Sequence, residues 1–329
     1  MLVYIFRRVL FMIPTLIAIS IISFAIIQLP PGDFLTSYVA GLRQQGDQVD
    51  ESELASLRAR YGLGQPVYVQ YGKWVSGIFL RGDWGQSMEW QKPVKDLIWE
   101  RLGLTVVLAL SALFVSWFIA IPIGVYSATH QYSWLDYTMT TFSFIGLGTP
   151  GFLLALIVLF VAQSRFGLNV GGLFSDEYIL APWNWDKVVD MLKHLWVPML
   201  ILAVSSTAGN IRITRANLLD ELNKPYVETA RAKGVKENRL IWKYPVRVAL
   251  NPFFSTVGWS LASLVSGATL IAIVLSLQTT GPMMLRALTS QDMYLAGSFL
   301  FLLSTLTVIG TLISDILLAI VDPRIRLEG

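Results

Sequence analysis

The chain has 329 residues, of which 54% are hydrophobic and only 14% charged, with mean hydropathy +0.57 and a formal net charge of +3. A soluble domain carries about 25% charged residues, so this composition excludes an ordinary water-soluble enzyme or binding module. With no cysteine, disulfides and thiolate metal sites are also excluded. The positive charge marks membrane topology, and no nucleic-acid partner is expected.

Charge is confined to blocks. None occurs from Val9 to Gly32, from Leu102 to Leu135 or from Tyr137 to Ser164. A helix needs about 20 apolar residues to cross a hydrocarbon core. Six stretches meet that length: Val9–Leu29, Leu104–Tyr126, Thr138–Ala162, Leu195–Leu218, Phe253–Leu277 and Leu295–Val321. The pattern predicts an all-α polytopic membrane protein with six transmembrane helices. Residues 1–29 form the N-terminus and first span, 30–101 an extracytoplasmic insert, and 102–329 a five-helix core.

Taken in chain order, Arg7 and Arg8 place the N-terminus on the cytoplasmic side by the positive-inside rule. The first apolar run is longer than a secretory core, and no A-x-A-like site follows before Pro30, so an uncleaved span is expected. Pro30-Pro31-Gly32-Asp33 ends it, because proline cannot continue a helix. In the insert, Val49–Tyr61 is helix-compatible with Ser52 as a cap. Val67–Phe79 carries Val69, Tyr71, Trp74, Val75 and Ile78 on one amphipathic face. That face suits either a membrane-surface helix or a packed cap.

A second external loop is expected over Arg165–Lys193, with Trp183 and Trp185 as interfacial anchors. Pro122, Pro150 and Pro198 fall within or at the ends of spans, beside Gly124, Gly146 and Gly148. Such residues serve either a moving hinge or close static packing. His130 and His194 are too far apart to suggest a metal pair.

The loop between spans four and five, expected as a cytoplasmic coupling loop over 218–252, is strongly basic together with the residues that lead into it. Arg212, Arg215, Lys224, Arg231, Lys233, Lys236, Arg239, Lys243 and Arg247 stand against Asp220, Glu221, Glu228 and Glu237. Within it lies Tyr226–Gly234, read Y-V-E-T-A-R-A-K-G. Small residues Thr229, Ala230 and Ala232 allow a short helix to seat deeply in a groove. Gly234 offers the left-handed cap that ends it, and Arg231 and Lys233 suit its C-terminus.

This stretch resembles the E-A-A-x-x-x-G signature of ATP-binding-cassette (ABC) importer permeases, with Thr229 in place of the second residue. Further pieces are similar to the oligopeptide/dipeptide/nickel permease family. They are Phe6-Arg7-Arg8, Pro31-Gly32-Asp33, Tyr61-Gly62-Leu63-Gly64-Gln65-Pro66, Gln70-Tyr71, Gly82-Asp83-Trp84-Gly85-Gln86-Ser87 and Asp322-Pro323-Arg324-Ile325-Arg326. The resemblance implies a type I importer subunit in a bacterial or archaeal cytoplasmic membrane, with both termini cytoplasmic. Its implied partners are a second homologous permease, two cytoplasmic ATPases holding ATP-Mg, an extracytoplasmic substrate-binding protein and membrane lipid. It implies no cofactor or metal on this chain and no enzymatic activity of its own. Tyr226, Glu228, Thr229, Ala230, Arg231, Lys233 and Gly234 would form the segment that couples to an ATPase.

The chain lacks G-x-x-x-x-G-K-[ST], the phosphate cradle of one ATPase class, which agrees with borrowed energy. An ion-coupled secondary carrier is the alternative, but it calls for an internal repeat and polar midplane sites that the sequence does not display. Asp315 reads as the intramembrane acid, with a structural role and Arg324 or Arg326 as expected partners. Met283, Met284 and Tyr294 are candidates for an outer gate. After the fifth span the family's E-x-V-F-x-x-P-G-L-G is replaced by Ala272–Gly281. Thr279–Pro282 and Ser290–Gly297 resemble members tied to oligosaccharide uptake, so peptide and oligosaccharide both stand as expected substrates.

Overall fold

The computed structural model describes residues 2–28, 55–56, 59, 64–87, 89–260, 263 and 268–321. The expected Pro31-Gly32-Asp33 turn, the Val49–Tyr61 helix (apart from isolated positions) and the Asp322–Arg326 ending lie outside these residues. Among the described residues there is no β-strand, only an isolated antiparallel bridge between Gln86 and Pro93.

The helices are α1 (Leu2–Gln28), α2 (Val67–Ser76), α3 (Val94–Thr129), α4 (Trp134–Gly148), α5 (Gly151–Phe166) and α6 (Asp176–Ile179). They continue as α7 (Trp185–Leu222), α8 (Pro225–Ala232), α9 (Glu237–Lys243), α10 (Pro245–Ala249) and α11 (Asn251–Ser255), then α12 (Thr269–Val274), α13 (Thr280–Thr289) and α14 (Met293–Val321). A π-helical turn, Gly77–Arg81, extends α2. By length and composition, α1, α3, α7 and α14 can each cross a membrane. The pair α4 and α5 can make a fifth crossing, although it is bent by 100°. The expected span Phe253–Leu277 includes residues outside the described set.

Two differences from the sequence reading have a common cause. The stretch Thr138–Ala162 is two helices rather than one, because Pro150 starts a new helix and Gly148 ends the old one. Both halves are apolar, so hydropathy runs unbroken across the bend. The connection expected over Arg165–Lys193 is also shorter, since helix runs to Phe166 and resumes at Trp185. Asn184 caps α7 by accepting the Lys187 backbone N–H at 2.8 Å, and the helix then runs for 38 residues. At about 1.5 Å per residue it is near 57 Å long, well beyond a hydrocarbon core of about 30 Å. Hydropathy marks only the lipid-facing part of such a helix. Arg212 and Arg215 accordingly lie inside α7 instead of in a loop.

The chain forms two compact units. One is built on Leu104–Thr279 with the end of α14 from Ile309. Its core gathers Leu104, Leu108, Ala155, Leu173, Leu195, Ile201, Ile271 and Leu275. Beyond it, Val125, Ala128, Leu218, Val246 and Ala249 form a smaller cluster, which seats α10 on α3 and α7. Close backbone approach is built in: a Cβ on Gly124 would stand 2.5 Å from the Thr214 Cβ, and one on Gly258 would stand 2.3 Å from the Gly310 carbonyl carbon. Gly124 and Gly146 thus serve packing, while Gly148 has open space around it at the bend.

The other unit holds Arg7–Gly103 and Thr280–Val308. It is organised by aromatic side chains. Trp74 lies 5.6 Å from Phe24 and 5.8 Å from Phe301, ring centre to ring centre, and Phe24 is 5.5 Å from Tyr71. Tyr71 also shares a 2.7 Å hydrogen bond with Ser20. The amphipathic face expected on Val67–Phe79 is therefore a packed face, with Trp74 and Ile78 buried.

Candidate functional site

The segment after α7 is a small folded platform. Pro225 opens α8, where its missing N–H costs nothing, and Glu228 in the first turn suits the helix dipole. Val227 and Ala230, three residues apart, share the inward face and are buried with Leu240 of α9. Val235, Ile241 and Tyr244 pack around them.

The helix closes with a Schellman motif. Gly234 N–H donates to the Arg231 carbonyl at 3.0 Å and Val235 N–H to the Ala230 carbonyl at 3.3 Å, with Gly234 at φ +77°. A polar clasp then ties α8 to α9: Nε and Nη2 of Arg231 donate to the two Glu237 oxygens at 3.1 and 2.7 Å. This fork holds the Glu237 carboxyl below its usual range and raises the Arg231 guanidinium. On the other flank, the Tyr226 hydroxyl donates to Glu221 in the last turn of α7. Burial, followed by the hydrogen bond to Glu221 and then its charge, pushes the Tyr226 phenol up.

The expected coupling residues divide by face. Tyr226, Glu228, Thr229, Arg231, Lys233 and Gly234 are exposed, and Thr229 donates its hydroxyl to the Pro225 carbonyl at 2.8 Å. Ala230 points inward and is 8% exposed, so it packs within this chain instead of offering a small face to a partner's groove. Exposed Ala232 remains on the outer side.

The gate candidates occupy the Arg7–Gly103 and Thr280–Val308 unit. Met283 and Tyr294 are buried, and Met284 is half-buried. Tyr294 lies over Gly85, where an added Cβ would come within 2.6 Å of the ring. Asp315 is half-buried in α14, beside Ser314, whose hydroxyl accepts the Gly258 N–H at 2.8 Å. Its expected partners Arg324 and Arg326 lie outside the described residues.

Three polar centres were not singled out from sequence. Asp136, 2% exposed, accepts Nε and Nη2 of Arg215 at 2.9 Å each. The available signal was its isolation between two charge-free runs. Asp292, fully buried, accepts the Ser87 hydroxyl, the Glu89 N–H and the Leu295 N–H. Lys187, 6% exposed, donates to the Ala181 carbonyl at 2.6 Å and lies 5.0 Å from the Phe174 ring centre.

Among the described residues the regular structure is helical, and several of the helices are apolar and long enough to cross a membrane, as in a multi-pass membrane protein. The family model for the binding-protein-dependent transport system inner membrane component matches residues 120–327, and the N-terminal model for the same kind of component matches 1–109. The chain belongs to this family of ABC importer permeases, as a multi-pass inner-membrane transport subunit. It is 38% identical to the oligopeptide transport system permease protein AppB of Bacillus subtilis, across 98% of this chain and 99% of that one. It is 31% identical to a putative peptide permease of Brucella suis, over 99% of each. It is 30% identical to the dipeptide transport system permease DppB of Alkalihalophilus pseudofirmus, over 99% of this chain and all of that one.

Proposed function

We propose that this chain is one of two transmembrane subunits of an ATP-driven importer of short peptides, and that α8 is the segment received by a groove on a cytoplasmic ATPase. The observation that carries the reading is the platform itself. Its inner face is consumed by Val227, Ala230 and Leu240. The outer face presents Tyr226, Glu228, Thr229 and Lys233, on a helix fixed at both ends. A preorganised helix loses little freedom on docking. Peptide is preferred to oligosaccharide because the similar permeases cited above are named for oligopeptides, peptides and dipeptides. In this reading both termini face the cytoplasm, ATP-Mg sits on the ATPases, and a binding protein delivers the substrate from outside.

The test is native mass spectrometry of the tagged chain, extracted gently from its own membranes. A complex with two ATPases and a second permease, and a retained peptide, is the expected result. A retained oligosaccharide would replace the substrate class. A lone chain that transports in vesicles without ATP would overturn the importer reading and favour a secondary carrier.

A further inference from the structure

Within the Leu104–Thr279 unit, α4 and α7 are held in one register at two separate points. Near the start of α4, Arg215 of α7 forks onto both oxygens of Asp136 at 2.9 Å. Near its end, a Cβ on Gly146 would stand only 3.3 Å from the Ala208 Cβ and 3.5 Å from Val204. The helices therefore run antiparallel, and both contacts oppose sliding. A slip of one turn, about 5.4 Å, would break both arms of the fork and drive α4 into bulkier positions on α7. The same knot takes in α3, since a Cβ on Gly124 would meet Thr214, the neighbour of Arg215.

The fork fixes direction as well as distance, as a planar guanidinium on a carboxylate does and a point contact does not. The Asp136 carboxylate is held from behind too. It accepts the Tyr132 N–H at 3.0 Å and the Thr140 hydroxyl at 3.4 Å, while Ser133 caps the helix by accepting the Asp136 N–H at 3.2 Å. Arg215 is two turns from the end of α7, where Glu221 holds Tyr226 of α8. On the far side, α4 ends at the 100° bend into α5. One continuous chain of rigid elements thus runs from α8 through α7 and the fork to that bend.

We infer that Asp136 and Arg215 are a positioning pair that passes movement of the 225–234 segment into α4 and its bend. The inference rests on the coupling reading of α8 given above.

Because the chain has no cysteine, Leu147→Cys gives it a single thiol at a half-exposed site beside the bend. The full complex, in lipid nanodiscs, is labelled with a maleimide before and after trapping with ATP and vanadate. With the native pair, trapping changes the labelling rate at least about fivefold, the low end of coupling between distant sites. With Asp136→Asn or Arg215→Gln the change falls below about twofold, while the ATPases still copurify and hydrolyse ATP. The double variant is no worse than either single, as expected when two residues make one link.

No change with the native pair, or a change that persists in the single variants, overturns the inference. Losses that add in the double variant also overturn it, as does failure of the single variants to retain the ATPases. Glu228→Lys separates the two readings. If it keeps both ATPases and the full labelling response, α8 is not the coupling segment, and the pair is still judged by its own variants.

Discussion

Asp292 accepts a hydrogen bond from the hydroxyl of Ser87, a residue 205 positions earlier. The contact joins two stretches singled out in the sequence for different reasons, Gly82–Ser87 and Ser290–Gly297. Asp292 sits just before α14 and caps it by accepting the Leu295 N–H at 3.3 Å, while its second oxygen takes the Glu89 N–H at 3.2 Å. Around it, Ser298 donates to the Trp84 carbonyl at 3.1 Å, and Arg286 pairs with Glu89 at 2.8 Å. The 82–92 loop is thereby strapped to α13 and α14 within their unit.

Asp292→Ala strips the acceptor from several buried donors at once. At about 1–3 kcal/mol for each donor left unsatisfied, the loss should reach about 2–4 kcal/mol. Ser87→Ala removes one hydroxyl and should cost about 1 kcal/mol. Thermal unfolding of the purified complex should rank Asp292→Ala well below Ser87→Ala. Equal midpoints would show that the strap carries no stability.

How much of this was legible beforehand depended on range. The α8 helix and its glycine stop follow from neighbours within ten positions, and Gly234 adopts the left-handed cap that its place after Lys233 suggested. The apolar face of α2 followed from helical spacing, with Trp74 and Ile78 inside. Helix length was not legible, because α7 continues through Arg212 and Arg215 after its lipid-compatible stretch has ended. Nor was the Asp136–Arg215 fork, since 79 residues separate its two members and no periodicity links them. The small size of Ala230 suggested close seating in a groove, and by itself gave no sign of Leu240, ten residues on, against which it packs.

The Arg231–Glu237 fork gives a pH expectation. Arg231 holds the folded-state pKa of Glu237 below its ordinary value of 4.5. A depressed carboxyl contributes stability that is complete above the unfolded value and is lost as pH falls through the folded one. The turn between α8 and α9 should therefore be unchanged from pH 8 to about 5 and loosen only below about 4.5. Protease cleavage between Arg231 and Glu237, followed against pH with an acid-tolerant enzyme, measures it. Glu237→Gln should remove the pH step, and a step that survives the substitution would assign it to another group.

Lys187 is expected to hold the 175–184 loop on α7. Its ammonium donates to the Ala181 carbonyl at 2.6 Å and lies between the Phe174 and Trp183 rings at 5.0 and 5.3 Å. Lys187→Met keeps the stem but removes the donor and the cation. The lost hydrogen bonds and ring contacts should amount to about 1–3 kcal/mol. Hydrogen exchange should quicken across 176–184 and stay unchanged in α8, whereas uniform exchange would make Lys187 a bystander.

Two glycines with positive φ should respond differently to alanine. Gly234, at φ +77°, has nothing within 4 Å of an added Cβ, so Gly234→Ala meets only backbone strain of about 1–2 kcal/mol. Gly85, at φ +92°, adds to the same strain a Cβ only 2.6 Å from the Tyr294 ring. Overpacking of that kind costs about 1–3 kcal/mol more. The ring is the movable part of the clash, so Tyr294→Ala should relieve it while leaving the backbone strain. Measured by thermal unfolding, Gly85→Ala should therefore be distinctly less damaging in a Tyr294→Ala background than in the native chain. Gly234→Ala should be indifferent to that background. If Gly85→Ala costs the same in both, Tyr294 does not bear on Gly85, and the strain resides in the backbone alone.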